Sequence, residues 1–299
     1  MTLTTTDDLF VPEVWADTAA PLILKKAVLA GLATVDDELV GRPGETVIFP
    51  KWAYIGDADD LTEGVAMNPV KMSQTDSRAT IKEAGKAVEL TDSALLSAIG
   101  DPSNQAQQQL ATSIARKIDT DLRGAAELIV TGSADPENPN TSPLVVGTAA
   151  PLSWERLVEG FSLLGDEYNP QDMAGIIVHS RDYGTLMLDP NFLSADKFGA
   201  GAVIQRGQIG SIGTIPVFVS DRATSAAAGT DTQAGTADDT YNTLLIRKGA
   251  LALKYKRRPL VERDRDILTR TNIITTNAHY AVKRVDDRGV VVIPTTPRA

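Results

Sequence analysis

Residues 45–92 spell out an element that cannot be stable alone. Residues 46–55, Thr-Val-Ile-Phe-Pro-Lys-Trp-Ala-Tyr-Ile, read as a strand, and so do residues 78–90. The roughly twenty residues between them are punctuated by Gly56, Gly64 and Pro69 and carry Asp57, Asp59, Asp60 and Glu63. That stretch holds too little apolar surface to fold on itself, and a two-stranded ribbon is marginal in water until something covers it. The expected cover is a neighbouring copy of the same chain, which makes this a chain built for assembly.

Composition narrows the alternatives. A chain of 299 residues forms one large domain or two modest ones, and 42% hydrophobic residues suffice for an ordinary packed core. There is no cysteine, which removes disulfides, thiol catalysis and thiolate metal sites. The two histidines, His179 and His279, lie a hundred residues apart, and no ligand spacing joins them to carboxylates. No apolar run reaches the ~18 residues a membrane span needs. Residues 1–8 lack the basic and apolar regions of a signal peptide, so a cytoplasmic product without a membrane partner is expected.

The net charge of −10 is uneven: −8 over residues 1–100, −7 over 101–255 and +5 over 256–299. An acidic body with a basic C-terminal segment favours head-to-tail contacts between copies; a solvated mixed surface is the alternative. The acidic total argues against a dedicated duplex DNA binder.

Along the chain, residues 1–20 are polar and predict an extended arm. Pro21 is placed to open a helix with Leu22, Ile23, Leu24, Ala27, Val28 and Leu32 as buried positions. A short helix is predicted over 92–99. The longest follows over 103–130, with Ser103 as its cap and Leu110, Ile114, Ile118 and Leu122 stepping by four. Residues 131–143 form a turn-rich linker. Beyond it helix and strand alternate: a helix through Trp154, Leu157, Val158, Phe161 and Leu164 capped by Ser153, a strand at 174–178, and a helix through Tyr183, Leu186, Met187 and Leu188 capped by Ser180. Strands follow at 215–220, 244–246 and 250–253, with a Gly- and Asp-rich loop at 223–241, and the tail at 266–276, 278–285 and 290–293 is strand-like. The class is α+β with two lobes.

Chemistry-bearing patterns are thin. His179, Ser180 and Asp182 supply the ingredients of a triad, but as near neighbours, whereas a triad needs side chains converging from different directions. Gly207, Gly210 and Gly213, and the pair Gly199 and Gly201, do not make the dinucleotide fingerprint; turn glycines before a strand account for them. Asp57, Asp59, Asp60 and Glu63 lack the calcium-loop pattern and fit a solvated loop. No catalytic residue, cofactor site or metal site is expected. Residues 262–266, Glu-Arg-Asp-Arg-Asp, alternate in sign, which on a strand sets acids on one face and bases on the other. They are either an edge strand guarded by charge or, the preferred reading, a register-setting contact with an adjacent subunit. The candidate inter-subunit residues are therefore Trp52, Tyr54, Asp57, Asp59, Asp60, Glu63 and Lys71 in the ribbon, and Glu262, Arg263, Asp264 and Arg265 on the charged strand.

The order of these landmarks resembles the major capsid proteins of tailed bacteriophages, the Hong Kong ninety-seven-type capsid fold. The most specific local likeness is residues 210–221, Gly-Ser-Ile-Gly-Thr-Ile-Pro-Val-Phe-Val-Ser-Asp, which resemble the family's G-x-P-V strand in the axial lobe. Residues 176–180 followed by 183–188 are similar to the strand-then-helix that precedes it, and 261–264 and 278–280 resemble the closing peripheral strands. The resemblance covers most of residues 20–295.

It implies an α+β fold with an N-terminal arm and first helix over 1–40, an extended two-stranded loop over 41–80, a peripheral domain over 81–144 with a spine helix at 103–130, an axial domain over 145–255, and return strands of the peripheral domain over 256–299. It implies a structural protein rather than an enzyme. Hexamers and pentamers would self-assemble into an icosahedral virion shell enclosing double-stranded DNA, which is contacted non-specifically, with assembly in the host cytoplasm. Scaffolding, portal and cement proteins would be separate partners. Some family members join neighbours through a Lys–Asn isopeptide bond; Lys51 and Lys71 lie in the loop and Asn272 and Asn277 in the return strands, but no residue-level match supports that reaction. An encapsulin-type nanocompartment shell is the alternative, disfavoured by the polar arm. A soluble two-lobed hydrolase is another, without converging catalytic groups to support it.

Overall fold

The structure is a computed structural model. It describes residues 28–296 apart from 38, 41–42, 53–54, 56–57, 59, 61–65, 68, 73, 98–101, 129, 132–139, 142, 166–167, 190–210, 213, 221–225 and 228–238. The predicted arm and most of the helix from Pro21 lie outside these residues, as do all but a few residues of the glycine-rich and Asp-rich segments at 199–213 and 223–241.

A 3-10 turn, Leu29–Gly31, leads into β1 (Thr34–Asp36). The ribbon strands β2 (Thr46–Trp52) and β3 (Gln74–Thr80) are followed by β4 (Lys82–Thr91), α1 (Asp92–Ser97) and the long helix α2 (Pro102–Glu127). Next come β5 (Val130–Thr131), β6 (Asn140–Thr141), β7 (Leu144–Val145), α3 (Trp154–Ser162), β8 (Met173–Val178) and α4 (Ser180–Met187). The chain closes through β9 (Ser211–Ile212), β10 (Ile215–Val219), β11 (Ala226–Ala227), β12 (Asp239–Arg247), β13 (Leu251–Asp266), β14 (Thr271–Arg284) and β15 (Val290–Thr295).

Helix α2 spans 26 residues, about 39 Å at 1.5 Å per residue. It starts at Pro102 rather than being capped by Ser103: proline suits the first helical position because its missing N–H would have no partner there. The stripe predicted from spacing is buried, with Leu110, Ile114, Ile118 and Leu122 all at 2% exposure or less.

This stripe lies on a four-stranded sheet ordered β1-β13-β14-β4, dominated by the long antiparallel pair β13 and β14. Pro259 sits inside β13 where the register with β14 shifts between Arg257 and Leu260, since a proline cannot serve a regular ladder. A second sheet runs β7-β15-β12-β8-β10-β9, with β11 against β12. Its central strands are apolar on both faces. Leu244, Ile246, Ile177, Val290 and Val292 join α2 and the first sheet in one core, while Leu245, Ile176, Val178, Val291 and Ile293 point the other way into a core with Leu157 and Phe161 of α3 and Leu186 of α4. Period-two alternation gives each face its own partner, and helix α2 holds the two sheets together.

Buried polar groups tie the same joint. Arg123, 1% exposed, donates to Glu127 at 2.7 Å and to the Asn242 carbonyl of β12. Arg284 of β14 donates to the Ala126 carbonyl at 2.7 Å, satisfying an acceptor at the C-terminal end of α2. The Asp119 carboxylate accepts the Val28 and Leu29 N–H groups at 3.0 and 3.1 Å and so fixes the 3-10 turn on the helix.

Several expectations need correction. The strand read over 78–90 is two strands meeting at Ile81: β3 pairs with β2, while β4 joins β14. Extended backbone continues through the junction, so nothing local marks it. Strand β15 pairs with β12 and β7 rather than with the peripheral strands, and β13 already belongs to the four-stranded sheet from Leu251 onward. The cap of α4 is His179, whose Nδ1 accepts the Arg181 N–H at 3.3 Å; Ser180 is the first helical residue. Ser153 occupies the cap position of α3 without a side-chain cap bond, and the Asp189 carboxylate instead takes the Trp154 N–H at 2.8 Å.

Candidate assembly surfaces

The ribbon is antiparallel, with register running from Thr46 opposite Thr80 to Trp52 opposite Gln74. Alternation splits its root in two. Val47, Phe49 and Ala79 turn inward and pack on Ala252 and Ala281 of the four-stranded sheet, while Ile48 points outward at 55% exposure. Further bonds fasten the root: Lys256 Nζ donates to the Gly44 carbonyl at 2.6 Å, the Ile81 N–H donates to the Glu45 carbonyl at 2.8 Å, and the Lys254 ammonium lies 5.3 Å from the Phe49 ring centroid. The expectation that a neighbour supplies all the cover is thus amended: the subunit anchors the root itself.

Beyond the root, the described loop residues are exposed, and four of them carry large apolar side chains: Ile55 at 57%, Met67 at 72%, Val70 at 65% and Met72 at 59%. Of the ribbon candidates, Asp60 and Lys71 are exposed in this stretch and Trp52 ends β2. Tyr54, Asp57, Asp59 and Glu63 lie outside the described residues.

On β13, Glu262, Arg263, Asp264 and Arg265 are all exposed. Strand β14 pairs along this stretch on one side, opposite Thr275, Ile274, Ile273 and Asn272 in turn. On the other side β1 covers only Ala252 to Lys254, so the rest of β13 is an open edge among the described residues. Arg265 and Glu262 form ion pairs inside the chain, Arg265 with Asp92 at 2.9 Å and Glu262 with Arg257 at 3.2 Å, and the Asp264 carboxylate accepts the Arg265 N–H at 2.8 Å. Exposed pairs of this kind contribute about 0–1 kcal/mol, so they orient the edge more than they stabilise it.

The far end of this hairpin was not legible as a surface feature. The turn between β13 and β14 presents Ile267 at 80% and Leu268 at 93% exposure, and α1 adds Leu96 at 88%. Helix α1 is tied to that end: the Asp92 N–H donates to the Arg270 carbonyl at 3.0 Å, and the Asp92 carboxylate accepts from Asn272 at 3.2 Å. Hydrogen bonds from the Thr269 hydroxyl and the Leu268 and Thr269 N–H groups hold the Asp266 carboxyl below its ordinary value and stiffen the turn. Large apolar side chains exposed at this end make it a candidate interaction surface. The Ile-Leu pair reads as strand in the sequence, which hid the turn.

The residues that could have supplied a triad occupy structural positions. His179 stacks on Tyr241 with ring centroids 4.1 Å apart, Ser180 starts α4, and Asp182 is buried against Thr295. These are three structural roles with no converging triad. Among the described residues no group of three or more His, Asp and Glu could hold a metal, and no helix is long and apolar enough to cross a membrane. Asn272, one of the two asparagines considered for cross-linking, is buried and engaged by Asp92.

Comparison with known proteins points the same way. The profile of a family described as phage capsid protein matches residues 74–293. The chain is 29% identical over 296 residues to the major capsid protein of Staphylococcus phage phiMR11, covering 97% of this chain and 95% of the relative. Among solved structures, one from Mycobacterium phage Che8 superposes with a TM-score of 0.67 at 17% identity, covering 89% of this chain and 90% of the other. The capsid of Helicobacter pylori bacteriophage KHP30 superposes with 0.67 at 10% identity over 89% and 88%, and that of cyanophage P-SCSP1u with 0.66 at 14% over 91% and 89%. The structural likeness is one of fold. Neither the encapsulin-type shell nor the hydrolase is favoured by these matches.

Proposed function

Because this chain belongs to the phage capsid protein family, and is a structural shell protein of the virion rather than an enzyme, we propose that its copies close into an icosahedral shell of hexamers and pentamers. In this reading the ribbon of each copy lies across its neighbour, with Ile48, Ile55, Met67, Val70 and Met72 as the apolar contacts and Asp60 and Lys71 at their rim. Trp52, Tyr54, Asp57, Asp59 and Glu63 belong to the same contact. The charged edge from Glu262 to Arg265 sets register with an adjacent subunit. The shell encloses double-stranded DNA and is assembled in the host cytoplasm with separate scaffolding, portal and cement proteins.

One observation carries this reading: a ribbon whose root is packed on its own body while the large apolar side chains beyond the root face solvent. A self-contained monomer would have no use for that division. The test is negative-stain microscopy of the purified chain beside a variant with Ile55, Met67, Val70 and Met72 replaced by serine. Closed particles from the parent and folded, unassembled subunits from the variant are expected. Equal particle yield from both would overturn the ribbon's role. A parent that stays a monodisperse monomer would overturn self-assembly of this chain.

A further inference from the structure

We propose, resting on the ribbon contact just described, that Met67 and Met72 form an oxidation site that controls assembly. Hydroperoxides convert both to methionine sulfoxide in the free subunit and so bar it from the shell, and shell closure shields them. The chain has five methionines and no cysteine, so no thiol competes for an oxidant and the thioethers take its place. The four methionines described by the structure fall into two pairs. Met173 of β8 is 4% exposed and Met187 of α4 is half-buried, and both pack in the core with Leu157 and Phe161 of α3. Met67 and Met72 are 72% and 59% exposed in the ribbon loop. Oxidation follows exposure, so a limited dose marks the ribbon pair first.

The reaction needs no catalytic group. A lone pair of the thioether sulfur attacks one oxygen of hydrogen peroxide, and the S–O bond forms as the O–O bond breaks. The proton on the transferred oxygen passes to the departing hydroxide, which leaves as water. Sulfur is oxidised by one electron pair and the peroxide is reduced by the same pair. The product keeps the length of the side chain but turns its apolar end into a polar S=O acceptor. On a solvated loop water binds the new oxygen, so the subunit stays folded. In the ribbon contact the same two side chains are buried with Ile48, Ile55 and Val70, all of them open to solvent in the single subunit. An unpaired polar oxygen is penalised there, so modification disables the contact and spares the fold. Isoleucine and valine carry no sulfur, which confines the sensitivity to Met67 and Met72 within this group.

Unassembled subunits and closed particles are given the same limited dose of hydrogen peroxide, digested and read by mass spectrometry. In the free subunit Met67 and Met72 should each gain an oxygen about ten-fold faster than Met173, with the unfolding midpoint unchanged. In closed particles their oxidation should slow about ten-fold. Particle yield from treated subunits should fall about ten-fold or more, because the unpaired oxygen is buried at a contact repeated around the shell. Methionine sulfoxide reductases should restore it. The variant Met67→Leu with Met72→Leu keeps the volume and the apolar character. It should assemble equally well with or without peroxide, which separates the ribbon pair from any other oxidised residue. Undiminished yield from subunits that carry both sulfoxides would overturn the proposal. So would a leucine variant as sensitive as the parent, or equal oxidation rates in subunit and particle. Each of these results is read against particles of the untreated parent and leaves self-assembly standing. An untreated parent that forms no particle would instead overturn the assembly reading, and control by oxidation with it.

Discussion

Replacing Asp182 with asparagine probes how the joint between α2 and the second sheet is held. Asp182 on α4 and Thr295 on β15 are both fully buried. Thr295 Oγ1 lies within hydrogen-bond distance of two acceptors, Asp182 Oδ2 and the Tyr241 carbonyl, the latter at 3.1 Å. A hydroxyl has one proton to donate. If it goes to the carbonyl, the carboxyl must supply the other proton. Burial pushes the Asp182 carboxyl above its ordinary value, while the Thr295 contact and the Arg123 guanidinium pull it down without prevailing. Arg123 is itself committed to Glu127, which leaves little positive charge for Asp182 to answer.

The sign follows from proton counting. Between the ordinary carboxylate value and the raised folded one, the folded subunit binds one more proton than the unfolded chain. Stability therefore falls as pH rises through that window, by at most about 1.4 kcal/mol per pH unit. The Asp182→Asn variant has nothing to titrate and keeps the shape. Its stability relative to the parent is expected to climb with pH across the window and to level off above it, with the two within about 1 kcal/mol on the acid side. Urea unfolding of the unassembled subunit, followed by the fluorescence of its three tryptophans, gives the difference directly, since other titrating groups cancel. The opposite pattern would refute the reasoning: a variant about 3–5 kcal/mol less stable at neutral pH, with the gap widening as pH rises, is what loss of an ionised partner of Arg123 would give.

Other expectations are simpler to check. A Cβ at Gly160 would stand 2.9 Å from Leu245 Cδ1 and 3.0 Å from Ile293 Cδ1, so Gly160→Ala should lower unfolding free energy by about 1–3 kcal/mol; a neutral or stabilising result would mean that the α3 packing is slack. Leu96→Ser, Ile267→Ser and Leu268→Ser together should leave subunit stability within roughly 0.5 kcal/mol, because these side chains are solvated. The same triple variant should suppress shell formation seen by microscopy, and normal particles would remove this end from the set of contacts. The acidic body predicts that added salt speeds assembly by screening repulsion between subunits; light scattering that is indifferent to salt would discard that idea.

What the sequence disclosed was local. The Leu110, Ile114, Ile118, Leu122 stripe needs only helical spacing to be seen, and it is buried as expected. Strand existence was equally legible from runs such as Ile176 to Val178. Partnership was not, because it is fixed by residues far apart: Arg265 meets Asp92 across 173 positions, and β15 chooses β12 rather than the neighbouring hairpin. At Ile81 the chain leaves one sheet for another without changing its extended conformation, so no turn residue marks the break. At Ile267 and Leu268 the error ran the other way, since two aliphatic residues hid a turn whose stiffness comes from Asp266. Serine has the higher cap propensity, yet α2 opens at Pro102 and the His179 side chain caps α4, so neither Ser103 nor Ser180 serves as a cap.

The magnitude of the exposed ribbon surface bears on how a shell of such subunits closes. Ile48, Ile55, Met67, Val70 and Met72 are between 55% and 72% exposed. Fully burying a side chain of this size gains about 1.5–3 kcal/mol, so covering what remains open on these five gives roughly 5–9 kcal/mol. Bringing two proteins together costs an estimated 4–15 kcal/mol in lost translational and rotational freedom. One ribbon on one neighbour therefore comes out near zero, and two subunits meeting alone should separate again. If, as proposed, each copy in a ring both gives and receives a ribbon, each addition after the first would engage further contacts for little extra entropy. Closed assemblies are then favoured over dimers, and trapping a stable dimer of the parent chain in which ribbon burial is the sole contact would contradict this arithmetic.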